Sequence, residues 1–453
     1  MFPRTALAAL AATLSVLAFA SPATAAFDPA YELSNFSKIN ERFQHVVSKP
    51  EYQVLLREKS AIREVQGVQI FAGDPQRFFF GQLCWQKMDG CAGEVRAYDW
   101  STRGAGLATP VSWVARNGSV ISGHVWATAE GPAKRPGVVL TTGSVQAPEE
   151  LYWTQIQTLA KAGYVVLTWD VQGQGYSDTF GEGEDRMDGV PSQSGRPFYD
   201  GTEDALDFFF STPEKPYAPR PSCMTGTSHV DKQVDRLGRG LSSAYNPFAA
   251  LLDTRRVGIV GQSLGAGAVS YIGQLDPRVK AIVAWDNLRA QPTTATAPPA
   301  TCDSGSSPRP AQLAQTKPSL GISNDYGLTP QPNFSEPDPD GKTGASKILS
   351  AAGTDSMQLV IRGGTHYESL NIPNPAFGAT LRGTDLTSFY ALAWMDRYVR
   401  GDESATARLL TERWRNDPLG AAVDPDGDPN DLSRYYKSRV DIARPGGGRI
   451  VCE

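Results

Sequence analysis

From Val111 onward, short apolar runs alternate with stretches of helical spacing. Val111-Ser112-Trp113-Val114 meets Asn117-Gly118 and returns through Ile121 to Trp126, and alternation on both sides of Asn-Gly predicts a β-hairpin. Gly137 to Leu140 reads as a buried strand, Glu149 to Ala162 as an amphipathic helix, and Tyr164 to Trp169 as the next strand. Gly201 to Phe210 has helical spacing, and Val257 to Val260 is apolar and strand-like. Ala281 to Trp285, Ser319 to Ile322 and Met357 to Ile361 predict further strands, and Leu386 to Val399 a late helix. This rhythm predicts an α/β protein with a mostly parallel, doubly wound sheet, whose ligands bind beyond the carboxyl ends of the strands.

The flanks read differently. Tyr31 to Glu64 mixes charged and apolar residues at helical spacing, predicting one or two helices outside the sheet, followed by an aromatic segment containing Phe78-Phe79-Phe80. Residues 213–240 and 291–316 are rich in Pro, Ser, Thr and Gly without apolar periodicity. They are expected to be lid-like insertions at the functional edge. The domain reading is therefore a signal segment over 1–25, an N-terminal helical or cap extension over 26–110, a catalytic domain over 111–400 with those two insertions, and a tail over 401–453.

Arg4, the apolar stretch Ala6 to Ala20 and the small residues Ala23-Thr24-Ala25 read as a secretory signal peptide, with cleavage expected near Ala25. The apolar stretch is short for a span of about 20 residues, so no integral membrane segment is expected in the mature chain. The expected location is secreted or extracytoplasmic. A charged content of 20% and a net charge of -5 describe a soluble globular chain with no nucleic-acid signal. Export permits disulfides among the five cysteines. Cys84 and Cys91 bracket a short segment and form one expected bridge, and Cys223 and Cys302 form a second that would staple the two insertions. Neither CxxC spacing nor a histidine-rich cluster is present, so no metal and no cofactor is expected. Asp424-Pro425-Asp426-Gly427-Asp428 lacks the glutamate of a calcium loop and reads as a solvated turn.

The candidate chemistry centres on Gly261-Gln262-Ser263-Leu264-Gly265, a G-x-S-x-G sequence between a strand and the small-residue helix start Ala266-Gly267-Ala268-Val269. Such a strand–turn–helix exposes a serine hydroxyl on a strained turn, and its acid and then its histidine follow in chain order. His45, His124 and His229 all precede Ser263, which leaves His366, in Gly363-Gly364-Thr365-His366, as the expected general base. Asp286 and Asp325 each end a predicted strand, and either can orient the imidazole. The backbone amides of Leu264 and Ser144 are the expected oxyanion donors. Asp170-Val171-Gln172-Gly173-Gln174-Gly175-Tyr176-Ser177-Asp178 lacks the glycine spacing of a dinucleotide loop and reads as structural.

Over roughly Val111 to Arg400, the elbow and the downstream Gly-Gly-Thr-His resemble the α/β-hydrolase superfamily. Ala284-Trp285-Asp286, Pro318 to Tyr326 and Leu359 to His366 resemble its platelet-activating-factor acetylhydrolase and polyester-hydrolase-like branches. In the acetylhydrolases the acid follows the strand after the elbow, which implies Asp286. In the polyester hydrolases it follows the next strand, closer to Asp325. The short spacing from Pro318 to Asp325 favours Asp286. The expected function is an exported serine hydrolase acting on small-molecule or lipid-like carboxylic esters. A peptidase, amidase or acyltransferase would use the same residues, and a non-catalytic binding protein could keep the fold.

Overall fold

The computed structural model describes residues 47–78, 92–101, 104–144, 147–187, 195–290, 314–324, 326–328, 338–361, 364–372, 381–411, 439–443 and 449–452, with positions 29, 30, 33, 37 and 41 before them. The strands are β1 (Gly106–Val114), β2 (Val120–Thr128), β3 (Arg135–Thr141), β4 (Val165–Trp169), β5 (Leu252–Gln262), β6 (Val279–Trp285), β7 (Ser319–Asn324), β8 (Ser356–Ile361), β9 (Arg439–Ala443) and β10 (Arg449–Cys452). They form one sheet in the order β1-β2-β4-β3-β5-β6-β7-β8-β9-β10. The run from β4 to β8 is parallel throughout, and antiparallel pairs flank it on both sides.

Every residue of β3 and β4 is buried, as expected of parallel strands covered on both faces. The hairpin between β1 and β2 closes on Gly118, whose φ of 84° suits a residue without a Cβ. Alternate side chains of β3 enter opposite cores. Val138 and Leu140 pack with α2 (Trp153–Lys161) and α7 (Leu381–Met395), while Val139 packs with α3 (Arg196–Phe209) and α5 (Leu264–Leu275). In α2 the residues Trp153, Ile156, Leu159 and Ala160 recur at helical spacing and pack toward the sheet, while the buried Gln155 and Gln157 donate to the Ser369 and Ala97 carbonyls. The architecture is thus α/β, a mostly parallel mixed sheet with helices on both faces.

The N-terminal helix, α1 (Pro50–Gly73), lies outside the sheet and runs beyond the predicted Glu64. Its Arg63 is buried, stands 4.2 Å from the Tyr176 ring centroid and pairs with the carboxylate of Glu150. The segment 213–240 is not an irregular lid. It contains α4 (Val230–Gly238) and packs on the outermost strand, β1. Val114 N–H donates to Gln233 Oε1 at 3.0 Å, and Tyr217 Oη donates to the Val114 carbonyl at 2.9 Å. The buried face of α4 carries Gln233 and Arg236, which serve polar partners instead of an apolar core. Val230, Val234 and Leu237 recur at helical spacing, but Val234 is exposed and the buried positions are polar, so the apolar stripe does not mark the face that packs. Residues 291–313 of the second insertion lie outside the described residues.

Helix α6 (Gly344–Ala351) precedes β8, and α8 (Ala405–Leu409), β9 and β10 fall in the segment read as a tail. Cys223 takes part in a disulfide. Its expected partner Cys302, the Cys84–Cys91 pair, the signal segment and the acidic turn at 424–428 all lie outside the described residues. Among the described residues no helix is long and apolar enough to cross a membrane.

Candidate active site

The carboxyl ends of the central strands line up in register: Thr141 of β3 opposes Gly261, and Gln262 of β5 opposes Trp285. Ser263 and Asp286 continue this pairing one rung further. Ser263 N–H donates to the Trp285 carbonyl, and Asp286 N–H donates to that of Ile322, each at 2.9 Å. Ser263 and Asp286 both have positive φ, 56° and 37°. For a residue with a Cβ, such torsions cost about 1–3 kcal/mol and persist only where the surroundings enforce them.

The enforcement is visible around Ser263. A Cβ on Gly261 would stand 2.4 Å from the Gly265 carbonyl oxygen, and one on Gly265 would stand 2.4 Å from that of Thr142. The pentapeptide therefore folds back on itself and seats the first turn of α5 against the end of β3. Only hydrogen side chains fit at these two positions.

His366 lies in the loop after β8. Its own N–H donates to the Gly327 carbonyl at 3.2 Å, and Gln262 Nε2 donates to the His366 carbonyl at the same distance. His366 Nδ1 stands 2.5 Å from Asp286 Oδ2, and Nε2 stands 2.8 Å from Ser263 Oγ. An ionised carboxylate only accepts, so the imidazole carries its proton on Nδ1 and leaves Nε2 to accept from the serine hydroxyl. Asp286 is buried, whereas the His366 side chain keeps 15% of its surface open and Ser263 is half-buried. The carboxylate is shielded while the serine hydroxyl and the imidazole remain approachable. Asp325 lies outside the described residues.

The two expected oxyanion donors sit on adjoining segments. Leu264 is the first residue of α5, so its amide has no helical carbonyl to bond. Ser144 follows β3, and its amide has no hydrogen-bond acceptor among the described residues. The neighbouring Gly143 amide is already engaged, donating to Tyr152 Oη at 2.9 Å. Tyr152 in turn donates to Gln262 Oε1 at 3.0 Å, and its ring is stacked on Trp285 with centroids 6.2 Å apart. Burial pushes the Tyr152 hydroxyl above its ordinary range, which keeps it protonated as a donor.

Sequence patterning gave no sign of Tyr152, whose ring reads as one more apolar position. Gln262 occupied a variable position of the pentapeptide, and its bridging role appears only when the His366 loop is folded over it. His124, in β2, bonds Glu149 Oε1 through Nδ1 at 2.5 Å, and His229 faces Asp185 Oδ2 at 3.4 Å. Neither is hydrogen-bonded to Ser263. Among the described residues no group of three or more His, Cys, Asp or Glu side chains is placed to hold a metal ion. No known protein-family model matches the chain, and no curated protein matches it.

Proposed function

We propose that this chain is an exported serine hydrolase of the α/β-hydrolase fold that cleaves carboxylic esters through an acyl-enzyme. The observation that carries the reading is the line Ser263 Oγ, His366 imidazole, Asp286 carboxylate, with contacts of 2.8 and 2.5 Å, on a positive-φ serine at the strand-to-helix turn. In this reading Ser263 Oγ attacks the acyl carbonyl while His366 Nε2 takes its proton. The imidazolium is stabilised by Asp286, and the carbonyl electron pair is held as an oxyanion by the Leu264 and Ser144 amides. His366 then gives its proton to the departing alcohol. Water, activated by the same base, releases the acid and restores the serine. The expected substrates are small-molecule or lipid-like esters. Export rests on the N-terminal charge and apolar pattern of the sequence.

The test is hydrolysis of p-nitrophenyl esters of graded acyl length by the mature protein beside Ser263→Ala, with fluorophosphonate labelling of both. Turnover should fall by at least about 10³-fold in the variant, and label should attach only to the wild type. Equal rates and no label on the wild type would overturn the reading. Cleavage of aminoacyl anilides in preference to esters, or transfer to an added alcohol in preference to water, would redirect it to an amidase or an acyltransferase.

A further inference from the structure

Gln174 lies in the turn after β4, within the Asp170 to Asp178 loop, and is buried. Its side-chain amide spans the loop that follows β3. Nε2 donates to the Gly143 carbonyl at 2.6 Å and lies 3.4 Å from Thr142 Oγ1, while Oε1 accepts from the Ala147 amide at 3.0 Å. One planar group thus ties together the two ends of the stretch that carries Ser144. The glutamine is itself held by its backbone. Its N–H donates to the Val171 carbonyl at 2.9 Å and its carbonyl accepts from Ser177 N–H at 3.0 Å.

Two features make this more than a satisfied polar group. The clamp grips Gly143, immediately before Ser144, and Ala147, three residues after it, without using the Ser144 amide. In addition, both peptide groups that meet at Gly143 are held, the one before it through its N–H by Tyr152 and the one after it through its carbonyl by Gln174. The Gly143 carbonyl and the Ser144 N–H share one planar trans peptide and point in opposite directions, so a carbonyl held by Gln174 fixes the direction of the Ser144 N–H. A donor for a developing oxyanion must be aimed before the reaction, because reorienting it during the reaction costs the stabilisation it provides.

We infer that Gln174 is a positioning residue that aims the Ser144 amide at the oxyanion by clamping the Gly143 carbonyl and the Ala147 amide. The inference rests on the serine-hydrolase reading above and adds to it a residue that touches neither substrate nor reacting atoms. Losing the clamp should weaken binding of the tetrahedral species more than binding of the trigonal ester.

The test compares the wild type with Gln174→Met, which keeps the length and removes both bonds, and Gln174→Glu, which keeps the acceptor for Ala147 and loses the donor to Gly143. The probe is an alkyl trifluoromethyl ketone. Ser263 Oγ adds to its carbonyl carbon, the hydroxyl proton passes to His366 Nε2, and the carbonyl electron pair becomes an alkoxide in the oxyanion position. We expect kcat for a p-nitrophenyl ester to fall at least about 10-fold in both variants, with KM nearly unchanged, and inhibition by the ketone to weaken by the same factor. Thermal unfolding identifies any variant that fails to fold, and the other variant then decides. Folded variants with wild-type kcat and ketone affinity, or with loss confined to KM, overturn the inference and leave the hydrolase reading intact. A wild type that neither turns over esters nor binds the ketone overturns both.

Discussion

At the residue scale, two side chains occupy backbone conformations that few residues adopt, and both belong to the proposed machinery. Asp286, at φ 37°, offers a direct experiment because asparagine tolerates positive φ as well as aspartate does. Asp286→Asn should therefore fold normally. The asparagine amide can donate to the imidazole, which would favour the tautomer with its proton on Nε2, the wrong nitrogen for accepting from Ser263. The expected loss in kcat is about 10³–10⁴-fold with little change in melting temperature. Steady-state kinetics beside a thermal melt would check this, and activity within a few-fold of wild type would exclude Asp286 as the acid. Asp325→Asn should then be the variant that fails.

At the scale of elements, the site depends on how closely α5 approaches β3. Two glycines in that helix separate approach from helix propensity. A Cβ on Gly265 would meet the backbone oxygens of Thr142 and Thr141 at 2.4 and 2.5 Å, and neither strand nor helix can shift without disturbing Ser263. A Cβ on Gly267 would meet only the Tyr199 hydroxyl, at 3.2 Å, the far end of a half-buried side chain. Gly265→Ala should cost about 1–3 kcal/mol and abolish most activity. Gly267→Ala should be neutral, or stabilising by up to about 1 kcal/mol, because alanine is the better helix former. Chemical denaturation and ester turnover of the two variants would show whether they diverge this way. Helix α1 reaches the same region from outside, since its Arg63 pairs with Glu150 and stands over the ring of Tyr176 in the turn after β4.

At the scale of the whole molecule, a buried set of charges connects these elements and gives stability a pH dependence. Asp170 is fully buried at the end of β4 and accepts from the Glu149 and Tyr176 amides at 2.8 Å each. Burial, followed by the nearby Glu149 carboxylate, nevertheless pushes its carboxyl up from 3.8 to about 6. Because the folded value lies above the unfolded one, the folded state holds the proton more tightly. This group's contribution to stability is full below about 4 and is lost as pH rises through about 6. Asp170→Asn loses an acceptor at every pH, but it also removes a charge that the folded state disfavours above pH 6. Its melting temperature should lie below that of the wild type, with a deficit that shrinks as pH rises from about 4 to about 6. A deficit constant or widening over that range would contradict the assignment.

Much of this molecule is written in local patterns. Period-two spacing marked β1 and β2, continuous apolar runs marked β3 to β8, and 3.6-residue spacing marked α2, α3 and α7, because burial on one face or on both dictates residue type. Glycines around Ser263 and the single histidine downstream of it marked the candidate site, because a strained turn and a transferable proton tolerate few residue types. Chain order could not choose between Asp286 and Asp325, since both follow predicted strands downstream of Ser263. The Asp286 contact with His366 Nδ1 emerges only when loops far apart in sequence meet. The same holds for α4, whose buried glutamine and arginine follow no apolar period, and for Tyr152, Gln262 and Gln174. Their side chains read as ordinary until folding brings them within hydrogen-bond distance of backbone groups in the loops after other strands. Hydrophobic periodicity is a property of one segment and its solvent, whereas a hydrogen-bonded clamp belongs to several segments together. The first could be read along the chain, and the second was decided by the tertiary structure.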